Sequence, residues 1–99
     1  MVSTLGLGTL TWGRDTDFEQ ASQQLQMFLD AGGNLIDTAA TYGEGESEKL
    51  IGNLLEEKFS RDDLVICSKA GVRPGDPPSV DASRANLLRG LDQSLERLG

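Results

Sequence analysis

The feature that most constrains this chain is a threefold alternation of a short apolar run and an amphipathic helical pattern. Ser3 to Gly8 reads as a first strand, glycine-punctuated, and it runs into the polar and aromatic loop Thr9-Leu10-Thr11-Trp12-Gly13-Arg14. Thr16-Asp17-Phe18-Glu19 has the spacing of a capping box, in which each side chain satisfies an unpaired amide at a helix start. From there Phe18, Ala21, Leu25, Phe28 and Leu29 recur at helical spacing, turning Glu19, Gln20, Gln23, Gln24 and Gln26 outward. Gly32 and Gly33 end the helix, because glycine adopts the left-handed backbone at no steric cost.

The second unit opens on the short strand Asn34-Leu35-Ile36. A polar loop follows, Asp37-Thr38-Ala39-Ala40-Thr41-Tyr42-Gly43-Glu44-Gly45-Glu46-Ser47-Glu48. Glu46 or Ser47 caps the next helix, whose buried face is Leu50, Ile51, Leu54, Leu55 and Phe59. The third strand, Leu64-Val65-Ile66-Cys67-Ser68, is apolar at consecutive positions, as in a parallel strand covered on both faces. Lys69 stands at its carboxyl end. The stretch from Gly71 to Val80 carries too many backbone restrictions to continue either element and reads as a loop. Asp81 or Ser83 then starts a last helix with Leu87, Leu88, Leu91, Leu95 and Leu98 on one side.

Three such units imply parallel strands joined by right-handed crossovers. Three are too few to close a barrel of eight strands and roughly 250 residues, and a sheet left at three would have unpaired edges and one bare face. Residues 1–99 are therefore expected to form one incomplete α/β domain with no second domain, a piece of something larger or one completed by partners, self-association included.

Composition narrows the function classes. The chain has 99 residues, a formal net charge of −7 and 37% hydrophobic residues, which is a globular composition. The acidic balance argues against nucleic acid or anionic membrane as partners, since a phosphate backbone would be repelled. No apolar run approaches the roughly 20 residues of a membrane span and no secretory signal opens the chain, so a cytoplasmic location is expected. The single cysteine, Cys67, reads as a small core residue. Gly6-Leu7-Gly8-Thr9-Leu10-Thr11 has Thr where a dinucleotide fingerprint needs its third glycine, and it leads into a loop, which argues against a Rossmann phosphate loop. Glu44, Glu46 and Glu48 read as solvated charges and helix caps, not as metal ligands, with no His to join them.

Asp37, Tyr42 and Lys69 all fall at or just past the carboxyl ends of adjacent expected strands, so their side chains can converge at one mouth. Each also has an ordinary explanation, as turn cap, packed phenol and surface charge respectively. If they converge, an ammonium beside a phenol favours tyrosinate and lowers a reference pKa near 10, with the carboxylate holding the lysine. A tyrosine tuned in that way serves as a general acid toward a carbonyl oxygen.

Gly6-Leu7-Gly8-Thr9-Leu10-Thr11-Trp12-Gly13, Asp37-Thr38-Ala39-Ala40-Thr41-Tyr42-Gly43, Gly45-Glu46-Ser47-Glu48, Ser68-Lys69 and Ser94-Leu95-Glu96-Arg97-Leu98-Gly99 together resemble the N-terminal part of an aldo-keto reductase. The resemblance spans essentially the whole chain. It implies the first three βα units of a (β/α)8 TIM barrel that binds NADPH across its carboxyl-end mouth and passes hydride to a small aldehyde or ketone. It further implies that Tyr42 is the proton donor, that Lys69 and Asp37 tune it, and that Gly8, Thr9, Trp12 and Asp37 lie near the nicotinamide end or the substrate pocket. Trp12 has packing as its alternative role.

The sequence departs from the family pattern in several places. The family's fourth catalytic residue is a histidine at the end of the fourth strand, and this chain contains none. The later phosphate-holding segments and the N-terminal hairpin that plugs the barrel floor are absent, and Ser68 stands for the commoner Thr. The resemblance thus implies an aldo-keto reductase parent, with little activity in these 99 residues alone. The alternative is a binding or regulatory module of the same barrel, as in potassium channel beta subunits, or a truncated non-catalytic fragment.

Overall fold

The structure is a computed structural model that describes all 99 residues. In chain order it comprises β1 (Gly6–Gly8), α1 (Phe18–Asp30), β2 (Leu35–Asp37), α2 (Glu46–Glu57), β3 (Val65–Cys67), a small hairpin of β4 (Val72–Arg73) and β5 (Ser79–Val80), and α3 (Arg84–Leu98). The strands β1, β2 and β3 lie side by side in that order, all parallel, in the register Gly8 to Asp37 to Cys67. Each crossover carries a helix, as three βα units require.

The register separates the two faces of the sheet. Leu7, Ile36 and Ile66 point toward the helices and join a core made of Trp12, Ala21, Leu25, Leu50, Ile51, Leu54 and Leu64. Leu54 is fully buried there, and burial of one such side chain contributes roughly 1.5–3 kcal/mol. Gly8, Asp37 and Cys67 share the other face, which no helix covers. Cys67 and Val65 are accordingly exposed, which corrects the expectation of a cysteine in the core. The consecutive apolar residues of β3 are real, but only alternate ones meet a helix in this chain.

Local side-chain chemistry moves several expected boundaries. The first strand starts at Gly6, because Ser3 and Asn34 bond each other instead: Ser3 N–H donates to Asn34 Oδ1 at 2.7 Å and Asn34 N–H returns to Ser3 Oγ at 3.1 Å. The capping box at α1 is Asp17 with Gln20, one residue later than Thr16 with Glu19. Thr16 is engaged by the turn before the helix, its carbonyl accepting from Gly13 at 2.9 Å and its hydroxyl meeting that of Thr11 at 3.0 Å. At α3 the cap is Ser83, whose Oγ accepts from Asn86 N–H.

The last helix also turns differently. Leu87, Leu88, Leu91 and Leu95 are 39% to 57% exposed, although their spacing predicts a buried stripe. It is Ser94, Arg97 and Leu98 that meet α2, because a buried carboxylate on α2 binds the first two. The expected loop from Gly71 to Val80 contains the antiparallel β4–β5 pair, with Arg73 Nη2 bridging Asp81 at 3.0 Å. None of the helices is long and apolar enough to cross a membrane.

Candidate active site

The carboxyl ends of β1, β2 and β3 open onto one mouth, and the chain after β2 is shaped to return a side chain to it. Tyr42 begins a short 3-10 turn, Tyr42–Gly45, in which Gly43, Glu44 and Gly45 are all left-handed, with φ of 59°, 57° and 95°. Such a run reverses the chain sharply before α2, and glycine fills the position with the largest φ at no steric cost. Two backbone bonds fix the loop to β3 and its exit: Thr38 N–H donates to the Cys67 carbonyl at 2.8 Å and Ala40 N–H to the Lys69 carbonyl at 3.1 Å.

Asp37, Tyr42 and Lys69 converge at this mouth. The Lys69 ammonium donates to Asp37 Oδ2 at 2.9 Å, to the Thr38 carbonyl at 3.0 Å and to the Tyr42 hydroxyl oxygen at 3.1 Å. An ammonium has three hydrogens, so all are engaged and its position is defined in three directions. The same ammonium lies 4.8 Å from the centre of the Tyr42 ring. Its pKa is raised above the ordinary lysine range, first by the bond to Tyr42 and then by the bond to Asp37. The lysine therefore stays charged across neutral pH. Because Lys69 donates to the phenol oxygen, the Tyr42 O–H is left to point elsewhere. The side chains of Asp37 and Lys69 are 42% and 49% exposed, so the cluster is open to a small molecule.

The other residues singled out in the sequence lie differently. Gly8 is exposed beside Asp37, and nothing lies within 4 Å of where its Cβ would be. Thr9 is fully buried, its hydroxyl donating to the Asp37 carbonyl at 3.0 Å, so it holds the end of β2 instead of facing the mouth. The Trp12 indole is 1% exposed, in the core, with Nε1 donating to Gln24 Oε1 at 2.8 Å. Its side chain packs in the core, the alternative role expected for it.

Two residues that the sequence offered only as a helix cap and a solvated charge support the mouth from below, while the cap of α2 is Gly45. Ser47, on the first turn of α2, reaches the Thr9 carbonyl at 2.9 Å, the Thr9 hydroxyl at 2.9 Å and the Thr38 hydroxyl at 3.0 Å, pinning the ends of β1 and β2. Its neighbour Glu48 is fully buried, where a solvated charge was expected. Glu48 Oε1 accepts from Ser68 at 2.8 Å and Ser94 at 2.9 Å, and Oε2 accepts from Arg97 Nε at 3.0 Å. The available signal was periodicity: Glu48 lies three residues before Ile51, on the apolar stripe of α2.

The profile described as the Aldo/keto reductase family matches residues 4–99. An aldo-keto reductase of Gibberella moniliformis is 33% identical over 102 residues, and the match covers 99% of this chain and 31% of that one. Protein tas of Escherichia coli K12 is 37% identical over 113 residues, covering 98% and 32%. Among solved structures, a Pseudomonas aeruginosa protein assigned to the aldo-keto reductases superposes with a TM-score of 0.85 at 43% identity, covering 98% of this chain and 38% of that one. Aldo-keto reductase AKR11C1 from Bacillus halodurans, in its holo form, gives 0.82 at 31% identity, covering 98% and 32%. This chain thus spans about a third of the length of these relatives, and its three βα units are the N-terminal part of their (β/α)8 barrel. With its parallel units, the residues matched and the superposition in agreement, the chain belongs to the aldo/keto reductase family.

Proposed function

We propose that this chain supplies one side of the active site of an NADPH-dependent oxidoreductase that reduces an aldehyde or ketone to an alcohol, with Tyr42 as the proton donor. The observation that carries the reading is the Lys69 ammonium bonded at once to Asp37, Thr38 and Tyr42. Family membership supports the oxidoreductase class, and the cluster supports the roles.

The residues at the mouth suit a nicotinamide cofactor. Gly8 leaves the end of β1 bare beside Asp37, and Lys69 occupies only Oδ2 of that carboxylate, so Oδ1 can accept from a cofactor hydroxyl. When bound, the reduced nicotinamide supplies a hydride to the carbonyl carbon.

The chain's own part is the proton. Tyr42 donates its O–H to the substrate oxygen, and as that oxygen gains charge the proton moves across, leaving tyrosinate. Lys69, already bonded to the phenol oxygen, stabilises the negative charge that develops there. Asp37 holds the ammonium in line. Hydride on carbon and proton on oxygen complete the alcohol. A histidine orienting the carbonyl, which the resemblance implies, is not among these 99 residues, so the chain alone is expected to turn over little.

The test compares the chain alone with the chain grafted onto the remaining units of the Pseudomonas aeruginosa relative. NADPH and NADH oxidation are followed with a panel of small aldehydes and ketones. The reading expects oxidation by the graft and almost none by the chain alone. A folded graft that binds nucleotide yet reduces no carbonyl would favour a binding or regulatory module instead.

A further inference from the structure

Glu48 is an acidic side chain with no exposure at all, on a helix whose apolar stripe it interrupts. A buried carboxylate is costly unless paired and fully hydrogen-bonded. Here it is both, and its partners come from separate parts of the chain. Ser68 immediately precedes Lys69, while Ser94 and Arg97 lie on α3. Arg97 also lies against the turn that carries Tyr42, since a Cβ at Gly45 would be 3.2 Å from its Cδ and Nε. One carboxylate therefore ties the side chain of Ser68, the residue before Lys69, to the helix that buttresses the Tyr42 turn. Ser47 next to it secures β1 and β2, and Glu48 is the α2 side chain that reaches the exit of β3.

We propose that Glu48 is a positioning residue for the proton-donating pair, holding Ser68 and Arg97 so that the Lys69 ammonium sits within bonding distance of the Tyr42 hydroxyl. This rests on the reading of Tyr42 and Lys69 given above. Glu48 touches neither of them and acts through their neighbours. A carboxylate suits the task where a neutral amide does not. It accepts from all three donors at once, and charge-assisted bonds of this kind are about twice as strong as neutral ones.

The test keeps charge constant, so that direct field effects on Lys69 do not enter. The Lys69 side chain is titrated by nuclear magnetic resonance in the 99-residue chain and in Glu48→Asp, which retracts the carboxylate by one methylene, and Ser68→Ala, which removes its donor beneath Lys69. Tyr42→Phe is the reference for a lost Lys69–Tyr42 bond. Thermal melting and helix content are recorded alongside. The proposal expects the Lys69 midpoint of both variants to fall by about a few tenths of a pH unit or more, in the direction of Tyr42→Phe. Should Glu48→Asp fail to fold, Ser68→Ala alone carries the test. Lower melting temperatures with an unmoved Lys69 midpoint would mean that Glu48 is purely structural and would overturn the proposal. If Tyr42→Phe itself leaves Lys69 unmoved, the pair is not coupled, and it is the reading of the active site that fails.

Discussion

Replacing Arg97 by methionine removes the one cation in ion-pair contact with Glu48, while leaving an apolar stem to cover Gly45. The pair is 3.0 Å apart, with the arginine side chain 20% exposed and the glutamate not exposed at all. Breaking a buried pair by deleting one partner typically costs about 3–5 kcal/mol, because the remaining charge is left uncompensated. Glu48 keeps the Ser68 and Ser94 hydroxyls, which places the expected cost near the lower end, about 3 kcal/mol. Against a total of about 5–15 kcal/mol for a domain, that is a large fraction. The assay is urea unfolding followed by fluorescence of Trp12, the single tryptophan and a core residue. Glu48→Gln combined with Arg97→Met should recover much of the loss, since no charge is then stranded. A cost below about 1 kcal/mol for Arg97→Met, the range of exposed pairs, would refute the argument that Glu48 is a desolvated charge.

Other perturbations probe the same scaffold. Ser47→Ala strands the buried Thr38 hydroxyl and should cost about 1–3 kcal/mol in the same urea assay. In Gly52→Ala the new methyl would meet the Arg97 carbonyl, so α3 should loosen from α2. Amide exchange should then accelerate in α3 and much less in α1, at a cost of about 1–3 kcal/mol. The raised pKa of Lys69 gives a signed alkaline prediction. Its contribution to stability is complete below the ordinary lysine pKa and disappears as pH rises through the raised value. Thermal melts should therefore show a small advantage of the native chain over Lys69→Met at neutral pH that closes above the ordinary lysine range, small because the side chain is half exposed.

The alternation of strands and helices was legible because it rests on local chemistry. Apolar spacing fixes which faces of α1 and α2 are buried, and the turn residues punctuate the rest. The convergence of Asp37, Tyr42 and Lys69 followed from one topological rule, that parallel strands present their carboxyl ends at a common mouth. What escaped was decided by partners distant in sequence. Glu48 resembles Glu44 and Glu46 as a charge at a helix start, and only the hydroxyls of Ser68 and Ser94 and the guanidinium of Arg97, up to 49 residues away, make its burial tolerable. The same bonds rotate α3 so that Leu87, Leu88, Leu91 and Leu95 face outward, against its own periodicity. For Trp12, packing stood beside a place near the pocket, and it is Gln24, on α1, that supplies a hydrogen-bond acceptor for the indole within the core. The capping box was displaced because Thr16–Glu19 and Asp17–Gln20 share one spacing, and only the turn at Thr11 selects between them.

The most direct test of the central claim separates binding from proton donation at Tyr42. NADPH affinity and single-turnover carbonyl reduction are measured for the barrel-completing graft and for its Tyr42→Phe variant, which keeps the ring and removes only the hydroxyl. The account expects nucleotide affinity to stay within about threefold and reduction to slow by roughly 10²- to 10⁴-fold, the usual contribution of a general acid. Unchanged reduction in Tyr42→Phe would contradict it.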